Sequence, residues 1–164
     1  MDGSLTLYAY ESSVNKARGQ AKGVSALNSS RLKALDKVLQ KLQGKTVLVE
    51  GKHDIRALQE IGVQAHFVTT SAKPSKVLEK IQSLSKGEEG KKSESGAILL
   101  LDFDREGLRK QKFFKILLEE EGVRANTVFA RRLRSLLGFT LIEEIDRKYW
   151  DFMQKGEFYG KNVR

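Results

Sequence analysis

With 164 residues, 40% of them hydrophobic and only one proline, the chain has the length of a single domain and enough apolar residues for one core. It contains no cysteine, which excludes disulfide frameworks, thiolate zinc sites, iron–sulfur clusters and thiol catalysis. Thirty Lys and Arg against 21 Asp and Glu give a formal net charge of +9, which points to a polyanionic partner, nucleic acid first.

The first 27 residues are rich in Ser, Gly, Asn and Ala, and residues 1–46 carry 8 basic against 3 acidic side chains. They read as a flexible basic tail (1–27) leading into an N-terminal helix (28–44). Within that helix Leu32, Leu35, Val38, Leu39 and Leu42 recur at three- and four-residue spacing, and Gly44 stops it. Met1–Tyr10 lacks a basic start followed by an apolar run, and no stretch approaches the roughly 18 apolar residues of a membrane span. A soluble, cytoplasmic chain with no membrane partner is expected.

Thr46–Val49 is a short buried-strand pattern closed by Glu50-Gly51, and helical spacing follows through Ile55, Leu58 and Ile61. Ala65–Thr70 supplies a second strand, and Pro74 suits the first turn of a helix carrying Val77, Leu78, Ile81 and Leu84. Lys86–Gly96 contains only Gly, Ser, Glu and Lys, the composition of an exposed loop. Ala97–Leu101 is continuously apolar, as in a central parallel strand covered on both faces, and Asp102-Phe103-Asp104 closes it. A wide-faced helix follows through Leu108, Phe113, Phe114 and Leu118 to Gly122. Thr127–Ala130 reads as a fourth strand leading into Arg131, Arg132 and Arg134. Thr140-Leu141-Ile142-Glu143 has the spacing of a capping box that opens a last helix through Ile145, Tyr149 and Trp150, within a C-terminal helical extension, 137–164.

Strands alternating with helices predict an α/β fold: a four-stranded parallel sheet flanked by helices in three Rossmann-like layers. Ligands of such sheets sit beyond the carboxyl ends of the strands, which directs attention to Glu50, Asp102 and Asp104. Asp102 and Asp104 are two residues apart, so in an extended chain both point to one face and can share a hard cation, magnesium being the natural one. In a 2-1-3-4 strand order Glu50 comes within reach of the same ion or of a substrate phosphate, a geometry that suits phosphoryl transfer. Lys52 and Arg105 stand beside these acids and can neutralise a phosphodiester, while Gly51 and Gly107 allow tight strand-to-helix turns with open amides. The Arg131, Arg132 and Arg134 cluster is the candidate for backbone phosphate contacts. His53, in the first turn of a helix, is expected at the surface, and His66, opening a strand, is read as structural. Tyr149 and Trp150 either pack on the domain or stack on an unpaired base.

Val49-Glu50-Gly51-Lys52-His53-Asp54 and Leu101-Asp102-Phe103-Asp104-Arg105-Glu106-Gly107, in this order and about fifty residues apart, resemble the two signature motifs of Toprim domains. That family includes topoisomerases, bacterial-type primases and the small 5S ribosomal RNA maturation nucleases. The resemblance spans roughly Lys45 to Leu136, so the corresponding domain is 45–136. It implies a catalytic glutamate at Glu50 relaying a proton, and divalent Mg or Mn held by Asp102 and Asp104 together with Glu50. The first motif is most similar to the maturation nucleases and small primase-like proteins, the second to type IA topoisomerases. Leu108 stands where the topoisomerase pattern has a further glutamate, and Glu106 is the nearest substitute as a metal ligand. A topoisomerase would also need domains carrying a nucleophilic tyrosine, for which 164 residues leave no room.

Cleavage or processing of RNA, alone or with a ribosomal or other protein helper, is thus the leading expectation. The rivals are a non-catalytic nucleic-acid-binding module of a larger complex, a primase-like protein, and an α/β phosphotransfer protein of the receiver or aspartate-phosphatase type.

Overall fold

The computed structural model describes residues 26–86 and 96–158. The expected basic tail at 1–27 and the loop at 86–96 lie almost entirely outside the described residues. In chain order the elements are α1 (Ala26–Leu42), β1 (Thr46–Val49), α2 (Lys52–Glu60), β2 (His66–Thr69), α3 (Pro74–Lys86), β3 (Gly96–Leu99), α4 (Arg105–Glu120), β4 (Arg124–Asn126), α5 (Val128–Leu137), a 3-10 turn (Ile142–Glu144) and α6 (Ile145–Phe158). All four strands are parallel in the order β2-β1-β3-β4, which places β1 and β3 side by side at the centre.

The period of two along each strand divides the core into two layers. Val47, Val49, Ile98 and Leu100 face one way and pack with Leu35, Leu39, Leu58, Leu133 and Ile145, so α1, α2, α5 and α6 cover that side. Leu48, Ala97, Leu99 and Leu101 face the other way against Val77 and Ile81 of α3 and Phe114 and Leu118 of α4. The expected α/β, three-layer parallel sheet is the observed architecture. Every residue of β1 is buried, which is why its sequence shows no polar alternation.

One expected element is corrected. Thr127–Ala130 is not a strand: β4 is Arg124–Asn126, paired with Gly96–Ile98, and the chain turns into α5 at Val128. Asn126 Oδ1 accepts a hydrogen bond from Val128 N at 2.8 Å, an Asx-type turn that starts the helix. Ala130, Leu133 and Leu137 are buried at three- and four-residue spacing, so burial of a helical stripe overrides the local preference of Thr127-Val128-Phe129 for a strand. Arg131, Arg132 and Arg134 therefore lie along the exposed side of a helix rather than leaving a strand end.

The cap of the last helical segment also differs by one residue. Glu144, not Glu143, reaches back, accepting from Thr140 N and Leu141 N at 3.2 Å each, because a 3-10 turn intervenes before α6. Those bonds hold its carboxyl below the usual carboxylate range.

Candidate functional site

Glu50 follows β1 directly, and Asp102 lies three residues past the end of β3. Because β1 and β3 are neighbours, both acids stand at one edge of the sheet, beyond the carboxyl ends of its central strands. Asp54, one turn into α2, is 6% exposed and its Oδ2 accepts from Glu50 N at 2.9 Å and Gly51 N at 3.0 Å. It closes the β1–α2 turn as a cap and fixes the backbone from which the Glu50 side chain projects.

Asp102 Oδ1 accepts from Ile142 N at 2.7 Å, while Phe103 N donates to the Thr140 carbonyl at 2.8 Å. Two hydrogen bonds thus bind the segment before α6 to the loop after β3. Burial, together with the nearby charges of Glu50, Asp54 and Asp104, pushes the Asp102 carboxyl up to about 6 against the opposing pull of the Ile142 amide. Asp104 is exposed and caps α4, its Oδ1 accepting from Gly107 N at 2.7 Å. Asp102 and Asp104 therefore do not present one shared face as an extended chain would, since the helix cap turns Asp104 onto the α4 amides.

Gly107 has a steric reason to be glycine: a Cβ there would run into the backbone carbonyl of Asp102. Gly51 has none of this kind. Its φ of −155° is extended backbone that any residue adopts, and a Cβ would meet no atom within 4 Å. Space beside the Glu50 turn is thereby left open.

Lys110, which the motif reading passed over, is the principal addition. Its Nζ lies 2.6 Å from Glu50 Oε2 and 2.8 Å from Glu106 Oε1, bridging β1 to α4. The two carboxylates hold the ammonium well above its ordinary pKa, Glu106 contributing most. The signal was present in the sequence as an i,i+4 pair from Glu106 to Lys110, which puts both on one side of α4. What the chain could not reveal is that this side faces Glu50, sixty positions away. Glu50 is 20% exposed, its second oxygen, Oε1, is buried and has no hydrogen-bond partner, and Glu106 is 73% exposed.

The basic residues divide by position. Lys52 and Arg105 open α2 and α4, exposed at the same sheet edge as the acids. The Arg134 guanidinium stacks on the Phe103 ring at 4.6 Å, in the loop that carries Asp102 and Asp104. Arg131 and Arg132 are exposed nearer the start of α5. His53 is exposed, as expected of its place in the first turn of α2, and His66 opens β2 at the surface.

The donor set is right in kind for a hard divalent cation: carboxylate oxygens only, one of them buried and unsatisfied on Glu50. Among the described residues, however, no three such side chains converge closely enough to form a ready-made metal group. Lys110 supplies the positive charge beside Glu50, and Glu106 faces Lys110. To hold a divalent ion together, Glu50, Asp102 and Asp104 would have to draw closer than they stand.

No family model and no curated protein matches the chain. A solved structure of an uncharacterised protein from Aquifex aeolicus is similar, at 25% identity and a TM-score of 0.52, over 66% of this chain and 95% of that one. Two thirds of the chain thus account for nearly all of that smaller protein. Among the described residues no helix is long and apolar enough to cross a membrane.

Proposed function

We propose that the chain is a Toprim-type, divalent-metal-dependent phosphoryl-transfer protein acting on nucleic acid, a cytoplasmic nuclease that processes structured RNA. The observation that carries this reading is the meeting of Glu50 and Asp102 at the carboxyl edge of adjacent central strands, with a carboxyl raised to about 6 by burial and by its acidic neighbours. Mg or Mn, bound at Glu50, Asp102 and Asp104, would stabilise charge on the phosphate under attack. Glu50 is the proton carrier, because its Oε1 has no hydrogen-bond partner and its Oε2 is steadied by Lys110. Lys52, Arg105 and Arg134 attract and orient the sugar-phosphate backbone at the same edge.

A second reading, a nucleic-acid-binding Toprim module without turnover, is favoured by one feature. Lys110 already neutralises Glu50, and Leu108 stands where a further carboxylate would help to hold metal.

The decisive experiment incubates the protein with end-labelled structured RNA, single-stranded RNA and DNA in Mg or Mn, alongside Glu50→Gln and Asp102→Asn. Metal-dependent cleavage of structured RNA, lost in both variants, is the expected result. Tight binding without cleavage, unchanged by Glu50→Gln, would select the binding module.

A further inference from the structure

A polar groove of about 520 Å³ runs beside the acidic edge, between α2 on one side and the 3-10 turn and start of α6 on the other. His53, three residues from Glu50, lies along it, and Leu141, Arg56, Glu143, Arg147 and Trp150 line the rest. Its wall is tied to the candidate site by the Ile142 N to Asp102 Oδ1 hydrogen bond. Such a volume suits one nucleotide and is too small for a helix or a folded partner.

Trp150 gives the groove its chemical character. Its neighbour Tyr149 is buried, as packing on the domain requires, and the two rings meet edge to face at 5.1 Å. Trp150 itself is 45% exposed and leaves indole surface in the groove, where a flat ring can stack. The charges say which kind of ring. Arg56 and Arg147 are outnumbered by Glu60, Glu143, Glu144 and Asp146, so the groove does not favour a bare phosphate.

Two of those acids are committed. Glu144 caps the turn and pairs with Arg147 at 3.3 Å, and Asp146 Oδ1 accepts from Arg147 N at 2.6 Å. Glu143, which the cap does not use, is exposed at the groove and can accept from N–H groups on a ring edge. A neutral aromatic ring with amino protons fits both features, and in a chain of net charge +9 that ring belongs to a nucleic acid.

We propose that this groove binds a single unpaired nucleobase bearing an exocyclic amino group, stacked on Trp150 and hydrogen-bonded to Glu143. Resting on the phosphoryl-transfer reading above, this defines the substrate as RNA with an unpaired nucleotide, a bulge or loop base, beside the phosphate held at Glu50 and Asp102. Base pairing would hide the edge that Glu143 reads and block the stacking face.

Trp150 is the chain's sole tryptophan, so its fluorescence reports on the groove directly. Titration of the protein with GMP, UMP and ribose 5-phosphate should show saturable quenching by GMP, weaker quenching by UMP, whose ring lacks the amino group, and none by the baseless sugar phosphate. Calorimetric titration with GMP should show Trp150→Ala weakening binding at least about ten-fold, with Trp150→Phe restoring part of it. Glu143→Ala, an exposed substitution that spares the fold and removes the acceptor, should narrow the preference for GMP over UMP to the part that stacking of the larger ring supplies. No response to either nucleotide, or an equal response to ribose 5-phosphate, would overturn the proposal. The phosphoryl-transfer reading fails separately: nucleotide binding at Trp150 without metal-dependent cleavage leaves the base site standing, and cleavage without a Trp150 response does the reverse.

Discussion

Asp102 shows how placement changes a common residue. An aspartate at a strand end is ordinarily a solvated helix cap, the part Asp104 plays. Asp102 is drawn inward by the Ile142 amide and surrounded by Glu50, Asp54 and Asp104, and its carboxyl rises to about 6. The folded protein therefore holds the Asp102 proton more tightly than the unfolded chain does, so this group favours the fold below about pH 4 and loses that contribution as pH rises through about 6. Asp102→Asn keeps an oxygen for the Ile142 amide and cannot ionise. Thermal melts should show the variant gaining on the parent protein at pH 7.5 and converging with it near pH 4. Lys110→Met should move the other way at pH 7.5, by roughly 1–2 kcal/mol, because Glu50 loses its charged hydrogen-bond partner. A pH-independent difference for Asp102→Asn would mean that neither burial nor the acidic neighbours raise its carboxyl.

Among the elements, the α4 entry and the α2 entry look alike in sequence, acid then glycine near a strand end, yet the two glycines serve different ends. Gly107 lets α4 press against the Asp102 backbone, and Gly51 leaves open space. Gly107→Ala must push α4 away from the loop, and overpacking of that kind costs typically about 1–3 kcal/mol. Gly51→Ala should leave the melting temperature nearly unchanged while weakening nucleic-acid binding, if the open space admits a phosphate. Equal destabilisation by both would contradict the distinction.

The same contrast marks how far the sequence could be read. Thr46–Val49 and Ala97–Leu101 announce themselves because fully buried strands must be apolar throughout, and from them follow the parallel sheet and the edge where Glu50 and Asp102 meet. Thr127–Ala130 misleads because a β-branched and aromatic run describes local preference only. The buried stripe Ala130, Leu133 and Leu137 extends past it and decides the matter. Lys110 opposite Glu50 and Ile142 against Asp102 join positions sixty and forty apart, contacts made by packing that no local pattern encodes.

At the scale of the whole molecule, charge is sorted by layer as well as by amount. The acids of the candidate site sit at the carboxyl edge of the sheet, whereas α5 carries Arg131 and Arg132 on the side away from the buried Ala130, Leu133 and Leu137, with Arg134 at the flank of that buried stripe. Arg134, stacked on Phe103, joins that helix to the acidic loop, so a polyanion following α5 would be led to Asp102 rather than past it. Cations that touch phosphates release counterions, and each contact contributes roughly 0.7 to 0.9 to the slope of log affinity against log salt concentration. Replacing Arg131 and Arg132 with Gln should therefore lower that slope by about 1.4 to 1.8 in total and weaken binding most at low salt. Lys80→Gln, on α3 across the sheet, should leave the slope where it was. If the arginine pair has no effect and Lys80 does, the nucleic acid lies on the opposite layer, and the acids at the sheet edge would have to meet it from the α3 side.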